Sequence, residues 1–483
     1  MIAGGYSLPD RKGIPRLLLA GIAIFAVNLR ADSGANRRRA AISSYLPPIV
    51  FVQAPRIASV RGAERFPEGS RIVLLTAGAN DKSPRILTEG FFAAADPQID
   101  FAGKRVLFAA QKARGDRWQI WEMNLDGSGA HQITKCGADC ARPAYLPADE
   151  IAFTSEAGEA ERRRSSLEVI GLDGSNVHAI TFGPGDWWLE TVLRDGRIVA
   201  SANAPLTEAA PAGANRLLYT LRPDGTGLES LRCEHTVKAM RGEARELEDG
   251  SIIFTENSGT LMAVKRGALH EEKIGVRGSA YRSPNALEGD AIVVARKTAP
   301  AQRYELAVIS RGGSGETRTV YSDGKFDSVE PVAVLRRPAP KKFWNNLTPN
   351  SPTGYFISLD TSNSVGKEQS AAPVRRVRVI EQRTSGEVAL GEATVEADGS
   401  FYVQVPANDA VRFVLLDEQG NVIREERSWI WTRPGEQRGC TGCHGDKALA
   451  PENRWPMALK RQDPPTDLSG AKSGGQAVES HGH

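Results

Sequence analysis

The sequence predicts a mainly β protein with three successive parts: a six-bladed β-propeller, a small antiparallel β-sandwich and a short C-terminal segment. The 48 glycines and 28 prolines among 483 residues favour tight turns and short strands over long helices. A strand–turn–strand pattern recurs along the first part of the chain, and the strand rhythm changes after a Pro-rich, basic stretch at residues 336–342. The chain is also longer than one core can support, so two or three domains are expected.

Three segments share an alternating strand, an Asp-Gly-Ser/Thr turn and a second short strand. Asp-Gly between apolar runs predicts a hairpin because glycine accepts positive φ at little cost. The turns recur at intervals of roughly fifty residues, the period of propeller blades. Their aspartates are expected to be solvated turn residues and not catalytic carboxylates. The segments are Ile120–Thr134, Leu167–Thr181 and Leu217–Leu231, with turn residues Asp126, Asp173 and Asp224.

Each blade is predicted to open with an inner strand, a Gly or acidic turn and an apolar, β-branched strand. Five such openings follow one another, and a sixth blade is assembled from both ends of residues 45–338. We expect the Asp327–Leu335 strand to pair with Pro47–Pro55 in one sheet, which would close the ring and remove two free edges. The sixth blade also takes Ser70–Gly78 and Ser83–Gly90, and the five openings begin at Asp96, Arg142, Leu189, Arg245 and Ser283.

The second predicted domain covers residues 343–432. Alternating strands at Val374–Gln382, Gly391–Ala407 and Ala410–Glu426 are joined by tight turns at Asp398-Gly399 and Gln419-Gly420. We interpret this region as a small antiparallel sandwich that positions the C-terminal segment.

The N-terminus predicts export. Arg11, Lys12 and Arg16 precede the apolar run Leu17–Leu29, which is typical of a signal peptide over residues 1–31 with cleavage after Ala31. The run is too short to span a bilayer comfortably, although an uncleaved anchor is the alternative. No later stretch is long and apolar enough to be transmembrane. We therefore expect a periplasmic or secreted protein, and the net charge of +3 gives no indication of nucleic-acid binding.

The strongest chemical motif is Cys440-Thr-Gly-Cys443-His444, the attachment sequence for c-type haem. Two thiols at this spacing can form thioethers with the haem vinyl groups, and the adjacent imidazole can bind the iron as the proximal ligand. A dithiol redox pair and a zinc site are the alternatives, but no βαβ context and only two downstream histidines are present. Residues 433–465 are thus predicted to bind haem c, and residues 466–483 to form a disordered tail.

The sequence leaves several candidates for the sixth iron ligand. Met457 follows the motif and could coordinate iron, although a methionine more often fills a gap in a core. His481 or His483, an open or water-bound position, and a residue from another domain or a partner are the others. Three tryptophans are candidates to cover the haem, with inter-domain packing as the alternative; they are Trp429, Trp431 and Trp455.

Export also affects how the other cysteines are interpreted. Cys136 and Cys140 are expected to form a small disulfide-bonded loop, with a metal site that includes His131 as the alternative. Cys233 is expected to be a small buried hydrophobic residue.

Two family resemblances follow from these motifs. Residues 45–338 resemble TolB-type propellers, a likeness that implies a fold and little about function. With the distinctive segments Asp360–Ser364, Ser428–His444 and Ala450–Leu459, residues 45–460 resemble the hydrazine synthase alpha-subunit family. That resemblance implies a periplasmic location and haem c on Cys440 and Cys443, followed by His444. The catalytic subunit of that family has a second haem segment and a tyrosine iron ligand, and neither occurs here, so the resemblance does not carry hydrazine synthesis.

Two functions of different classes are consistent with these motifs. The first is an exported monohaem c-type cytochrome that transfers electrons or performs redox chemistry on a small molecule, so enzymatic activity is left open. The second is a TolB-like protein-interaction module in which haem is structural or sensory. The partner would be a periplasmic redox protein or a protein docked on the propeller face.

Overall fold

The structure is a computed structural model that describes residues 46–57, 66–76, 83–158, 164–203, 215–231, 239–257, 259–266, 270–311, 317–345, 347–362, 373–426, 428–441, 454–461 and 463–470. These residues are mainly β, as predicted, and the predicted signal peptide at residues 1–31 lies outside them. Among the described residues, no helix is long and apolar enough to cross a membrane.

Four-stranded antiparallel sheets follow one another along residues 49–333. The first contains β1 (Ile49–Ala54), β2 (Arg71–Leu75) and β3 (Arg85–Ile86), together with β24 (Asp327–Ala333). The next two contain β4 (Ala93–Ile99), β5 (Arg105–Gln111), β6 (Gln119–Asn124) and β7 (His131–Gln132), then β8 (Asp139–Leu146), β9 (Glu150–Ala157), β10 (Arg164–Gly171) and β11 (His178–Ala179). Three more contain β12 (Asp186–Val192), β13 (Ile198–Asn203), β14 (Leu217–Leu221) and β15 (Glu229–Ser230), then β16 (Arg241–Glu246), β17 (Ile252–Glu256), β18 (Thr260–Val264) and β19 (Glu272–Ile274), then β20 (Ala280–Ala286), β21 (Ala291–Lys297), β22 (Glu305–Ser310) and β23 (Thr317–Tyr321).

The two ends of this region meet in one sheet. Strand β1 pairs antiparallel with β24, with Ile49 opposite Ala333 and Gln53 opposite Ser328. The predicted pairing of the Asp327 and Ile49 segments is therefore confirmed. The innermost strands also contact one another in cyclic order, from β4 through β8, β12, β16, β20 and β24 back to β4. This cyclic arrangement of sheets is that of a β-propeller.

The innermost strands share a bulge that faces the neighbouring sheet. At this position carboxylates accept the backbone N–H of the bulge in the next sheet: Asp96 Oδ2 from Arg142 (2.7 Å), and Glu243 Oε2 from Ser283 (2.9 Å). Glu330 Oε2 accepts from the Asp96 N–H at 2.7 Å, which links the sheet of β24 to the sheet of β4. These bonds satisfy backbone donors that the bulges remove from the ladders.

The predicted Asp-Gly turns are present. In each turn the aspartate accepts from the N–H and hydroxyl of the residue two positions on, as Asp126 does from Ser128 at 2.9 and 2.6 Å. Asp173 and Asp224 repeat this pattern with Ser175 and Thr226. The hydrogen bonds from Ser128 hold the pKa of Asp126 below its ordinary value. Asp126 and Asp173 are exposed turn residues, whereas Asp224 is partly buried.

The second domain contains two packed sheets. One has the order β27 (Gly386–Thr394), β26 (Arg376–Arg383), β29 (Val411–Leu416) and β30 (Val422–Glu425). The other has the order β31 (Gln437–Cys440), β25 (Thr353–Ser358), β28 (Phe401–Pro406) and β32 (Thr466–Asp467). Their shared core includes Phe356, Val379, Val403, Phe413 and Leu415.

The structure changes one predicted feature of this domain and adds two strands to it. The second sheet is mixed, because β31 runs parallel to β25 and β32 runs parallel to β28. Strand β31, an edge strand of the sandwich, lies beyond the predicted boundary at residues 432 and 433. Strand β32 lies within the predicted tail and belongs to the same sheet, and Leu468 is buried in the core.

Candidate haem-attachment site

The first cysteine of the motif lies at the end of edge strand β31. Cys440 is opposite Ser358 of β25, and its carbonyl accepts the Leu359 N–H at 2.9 Å. The side chain is half-buried against the sandwich core, and its thiol is not part of a disulfide. Burial raises the pKa of the Cys440 thiol, although the positive charge of Arg438 opposes this shift. Cys443 and His444 lie outside the described residues.

The chain returns to the same end of the sheet in a short helix, α1 (Met457–Lys460). Ser358, the partner of Cys440, also pairs with Phe401 at the start of β28. Just before that strand, Asp398 Oδ2 accepts the Met457 N–H at 2.8 Å and Ser400 Oγ accepts the Ala458 N–H at 2.9 Å. The fold therefore brings Cys440 and Met457 to one end of one sheet.

A salt bridge also holds the segment that contains α1 at this end of the sheet. Arg454 Nη2 donates to Asp360 Oδ2 at 2.8 Å and to the Asp398 carbonyl at 2.9 Å. Asp360 Oδ1 in turn accepts from the N–H and hydroxyl of Ser362, at 2.8 and 2.5 Å. The described part of the Asp360–Ser364 segment thus contacts the segment that contains Met457.

The three candidate tryptophans occupy different environments. Trp431 is fully buried between the sandwich and the propeller, with Nε1 donating to the Gly225 carbonyl at 3.0 Å and its ring 5.4 Å from that of Trp187. Trp429 is also buried, beneath the guanidinium of Arg412. For these two residues the structure favours packing over covering a haem. Trp455 is 65% exposed and stays a candidate.

The strand before the motif also contacts the propeller. The turn at residues 224–228, which we call the cradle, receives side chains from residues 431–438. Arg433 Nε donates to the Asp224 carbonyl at 2.8 Å, and Arg438 Nη2 donates to the Leu228 carbonyl at 2.5 Å. No local sequence pattern points to Arg433 or Arg438, because their contacts in the propeller lie 209 and 210 positions away in the chain.

The predicted disulfide between Cys136 and Cys140 is present. Both thiols are used, so the alternative metal site with His131 is not formed. The His131 Nε2 atom instead lies 3.8 Å from Glu122 Oε2. Within the described ranges, no group of three or more His, Cys, Asp or Glu side chains could hold a metal ion. Cys233 lies outside those ranges.

The end of the sheet offers features that suit a covalently attached, flat and mostly apolar group. Cys440 provides a free thiol there, and Trp455 and Met457 are exposed apolar side chains on the returning segment, with Met457 40% exposed. Exposed large apolar side chains that lie close together are typical of a surface that a ligand or a partner covers. Of the haem-binding residues predicted from sequence, Cys440 and Met457 are those that the structure places.

Comparisons with known proteins agree with this organisation. The model of the hydrazine synthase alpha-subunit middle domain matches residues 357–445, a range that includes the Cys-x-x-Cys-His motif. The hydrazine synthase subunit alpha of Kuenenia stuttgartiensis is 22% identical, over 82% of this chain and 65% of the relative. The chain thus spans somewhat less than two thirds of the length of that curated relative.

A solved structure is similar in fold. Hydrazine synthase of Kuenenia stuttgartiensis superimposes with a TM-score of 0.74 at 21% identity, over 86% of this chain and 71% of that chain. TolB of Acinetobacter baumannii gives a TM-score of 0.43 at 15% identity, over 61% of this chain and 67% of that chain. The middle-domain match and the similarity to the curated subunit support a hydrazine synthase alpha-like family for this chain.

Proposed function

We propose that this protein is an exported monohaem c-type cytochrome built on a propeller scaffold. Haem c would be attached through Cys440 and Cys443, with His444 as the proximal iron ligand. The observation that carries the proposal is the position of Cys440, a thiol outside any disulfide at the sheet end to which the segment of Met457 also returns. The middle-domain match, which runs to residue 445, supports the same assignment.

We also propose that the propeller has six blades over residues 45–338. Six four-stranded sheets among the described residues of 49–333, closed by the pairing of β1 with β24, support this count. Because β31 and β32 form both edges of one sandwich sheet, the haem segment would be part of the sandwich and not a separate domain.

When bound, the haem would supply an Fe(III)/Fe(II) couple for electron transfer or for redox chemistry on a small molecule. The chain's own residues would fix its position. Cys440 would hold one edge through β31, while Asp398 and Ser400 accept the backbone N–H groups of Met457 and Ala458 at the same end of the sheet. Met457 is therefore our candidate for the sixth ligand.

The protein would act outside the cytoplasm and with a protein partner. The basic residues and apolar run before Ala31 support export. The curated relative is named as a subunit, which supports a partner protein, and a redox protein is the class that a haem would serve. We do not extend hydrazine synthesis to this chain, because the match covers only 65% of the curated relative.

The test is a visible spectrum of the chain exported together with a cytochrome c maturation system, in the oxidised, reduced and carbon-monoxide-treated reduced states. We expect covalent haem that persists on a denaturing gel and disappears in Cys440→Ala and Cys443→Ala. Carbon monoxide binding would separate an accessible iron from a six-coordinate electron carrier. Absence of covalent haem in the unsubstituted chain would defeat the proposal.

A further inference from the structure

Arg438 joins the strand that carries Cys440 to the propeller. It precedes Cys440 by two positions. Its Nη1 donates to the Trp431 carbonyl at 2.9 Å, and its Nη2 donates to the Leu228 carbonyl at 2.5 Å. A guanidinium is a rigid, planar fork, so two such bonds fix both the separation and the orientation of the segments that it joins.

The cradle holds the chain around Arg438 through its own backbone groups. The Gly225 carbonyl accepts from Trp431, the Asp224 carbonyl accepts from Arg433, and the Gly227 N–H donates to Glu436 Oε1 at 3.3 Å. Trp431 and Arg433 are both buried in this contact. Loss of such buried hydrogen bonds leaves unsatisfied donors and acceptors, which makes the contact resistant to separation.

The equivalent turn of the preceding blade provides a reference. Gly174 and Gly225 follow the turn aspartates and have the same φ of +83°. A methyl group on Gly174 would meet the Ile133 carbonyl at 3.2 Å, whereas one on Gly225 would meet the Ile180 carbonyl at 2.7 Å and Arg433 Cδ at 3.2 Å. Of the two glycines, only Gly225 lies against the segment that leads to Cys440.

We infer that the cradle of the propeller positions the haem-bearing strand, and that Arg438 is the positioning residue through which it acts. The propeller would then be part of the haem site, and residues more than two hundred positions before the motif would determine the environment of the cofactor. This inference rests on the proposed haem attachment, but its first test does not require haem.

The first test measures how readily β31 opens in the full chain produced without haem maturation. Cys443→Ser is introduced so that Cys440 is the one thiol in its tryptic peptide, and its alkylation by iodoacetamide is followed by mass spectrometry. Arg438→Lys keeps the positive charge but removes the fork, and Gly225→Ala distorts the cradle without changing charge. We expect each to raise the alkylation rate about tenfold, the change expected for loss of one charge-assisted hydrogen bond.

Gly174→Ala is the control, with the same φ and no contact with the sandwich, although its methyl group would meet the neighbouring carbonyl less closely than that of Gly225→Ala. Its rate should change less than about twofold, because its turn lies away from the strand. The inference would be overturned if Cys440 were alkylated at the same rate in all three variants, Gly174→Ala, Gly225→Ala and Arg438→Lys. Arg438→Lys introduces no backbone strain, so it carries the test if Gly225→Ala fails to fold.

The second test uses the haem-loaded chain. We expect Arg438→Lys and Gly225→Ala to keep their covalent haem but to shift its midpoint potential and its reduced spectrum, whereas Gly174→Ala matches the parent. Unshifted potentials in both cradle variants would refute the inference while leaving the haem assignment intact. If the parent carries no haem, the proposed function fails, and the alkylation experiment still decides whether the propeller holds the strand.

Discussion

Arg142 and Glu190 form an ion pair between neighbouring inner strands of the propeller, with Arg142 Nη1 at 3.1 Å from Glu190 Oε1. The bulge position that Arg142 occupies is a carboxylate in most of the other sheets. An arginine cannot accept the N–H of the next bulge as Asp96 or Glu243 does, so its side chain reaches across to Glu190. That carboxylate also accepts from Ser201 Oγ at 2.6 Å and from the Ala244 N–H at 3.2 Å.

Arg142→Met should lower the free energy of unfolding of the propeller by about 1.5–3 kcal/mol, the contribution of a hydrogen bond to a charged group. The Glu190 side chain is almost completely buried, so it cannot replace the lost donor with water. Urea denaturation followed by circular dichroism measures the change. Arg114→Met is the control, because its pair with Glu68 is exposed and should contribute less than about 1 kcal/mol. Equal effects of the two substitutions would contradict the role assigned to Arg142.

Glu243 should make the propeller sensitive to acid. Burial alone would raise the pKa of Glu243, but Arg282 and hydrogen bonds from Ser283 and Thr255 outweigh burial, so the pKa lies below its ordinary value of 4.5. A carboxyl group with a depressed pKa in the folded state stabilises the protein fully above the unfolded-state value and progressively less as pH falls through the folded-state pKa. Glu243→Gln should therefore flatten the loss of stability below about pH 4.5, measured as urea midpoints between about pH 6 and pH 3.

The pKa of Glu246, on the same strand, is shifted in the opposite direction. Burial raises the pKa of Glu246, so its ionised form is disfavoured in the folded state and acidification should favour folding through this group. Glu246→Gln should remove this stabilising contribution, so the free energy of unfolding should fall more steeply as the pH is lowered. If Glu243→Gln and Glu246→Gln changed the pH dependence of the urea midpoint in the same direction, these carboxyl groups would not control it.

Reduction of the Cys136–Cys140 disulfide should destabilise the propeller by about 2 kcal/mol, because the bridge closes a loop of only a few residues. Urea midpoints with and without dithiothreitol would measure this effect in the parent chain. The double variant Cys136→Ser, Cys140→Ser should already have the lower midpoint and should not respond to the reductant. A response in the double variant would assign the effect to another thiol.

Local patterns predicted the propeller better than the site. The Asp-Gly turns and the alternating strands encode each blade within a few residues, and the need to cover free edges predicted that β24 would join β1. Strands β31 and β32 contain four and two residues, too short for any period to be visible, and their partners lie far away in the sequence. The burial of Trp431 likewise depends on Gly225 and Trp187, residues that no nearby pattern connects to it.

Met457→Ala should convert the haem-loaded protein from a form that ignores carbon monoxide to one that binds it. Asp398 and Ser400 fix the backbone at the start of α1 at the sheet end where Cys440 lies, which makes Met457 the candidate sixth ligand for a group attached there. The covalent haem content should be unchanged, because Met457 forms no bond to the porphyrin. Met262→Ala, in β18 of the propeller, is the control and should leave the spectrum as in the parent. Carbon monoxide binding by the unsubstituted chain would instead show that the sixth position is accessible, and Met457 would then be a packing residue.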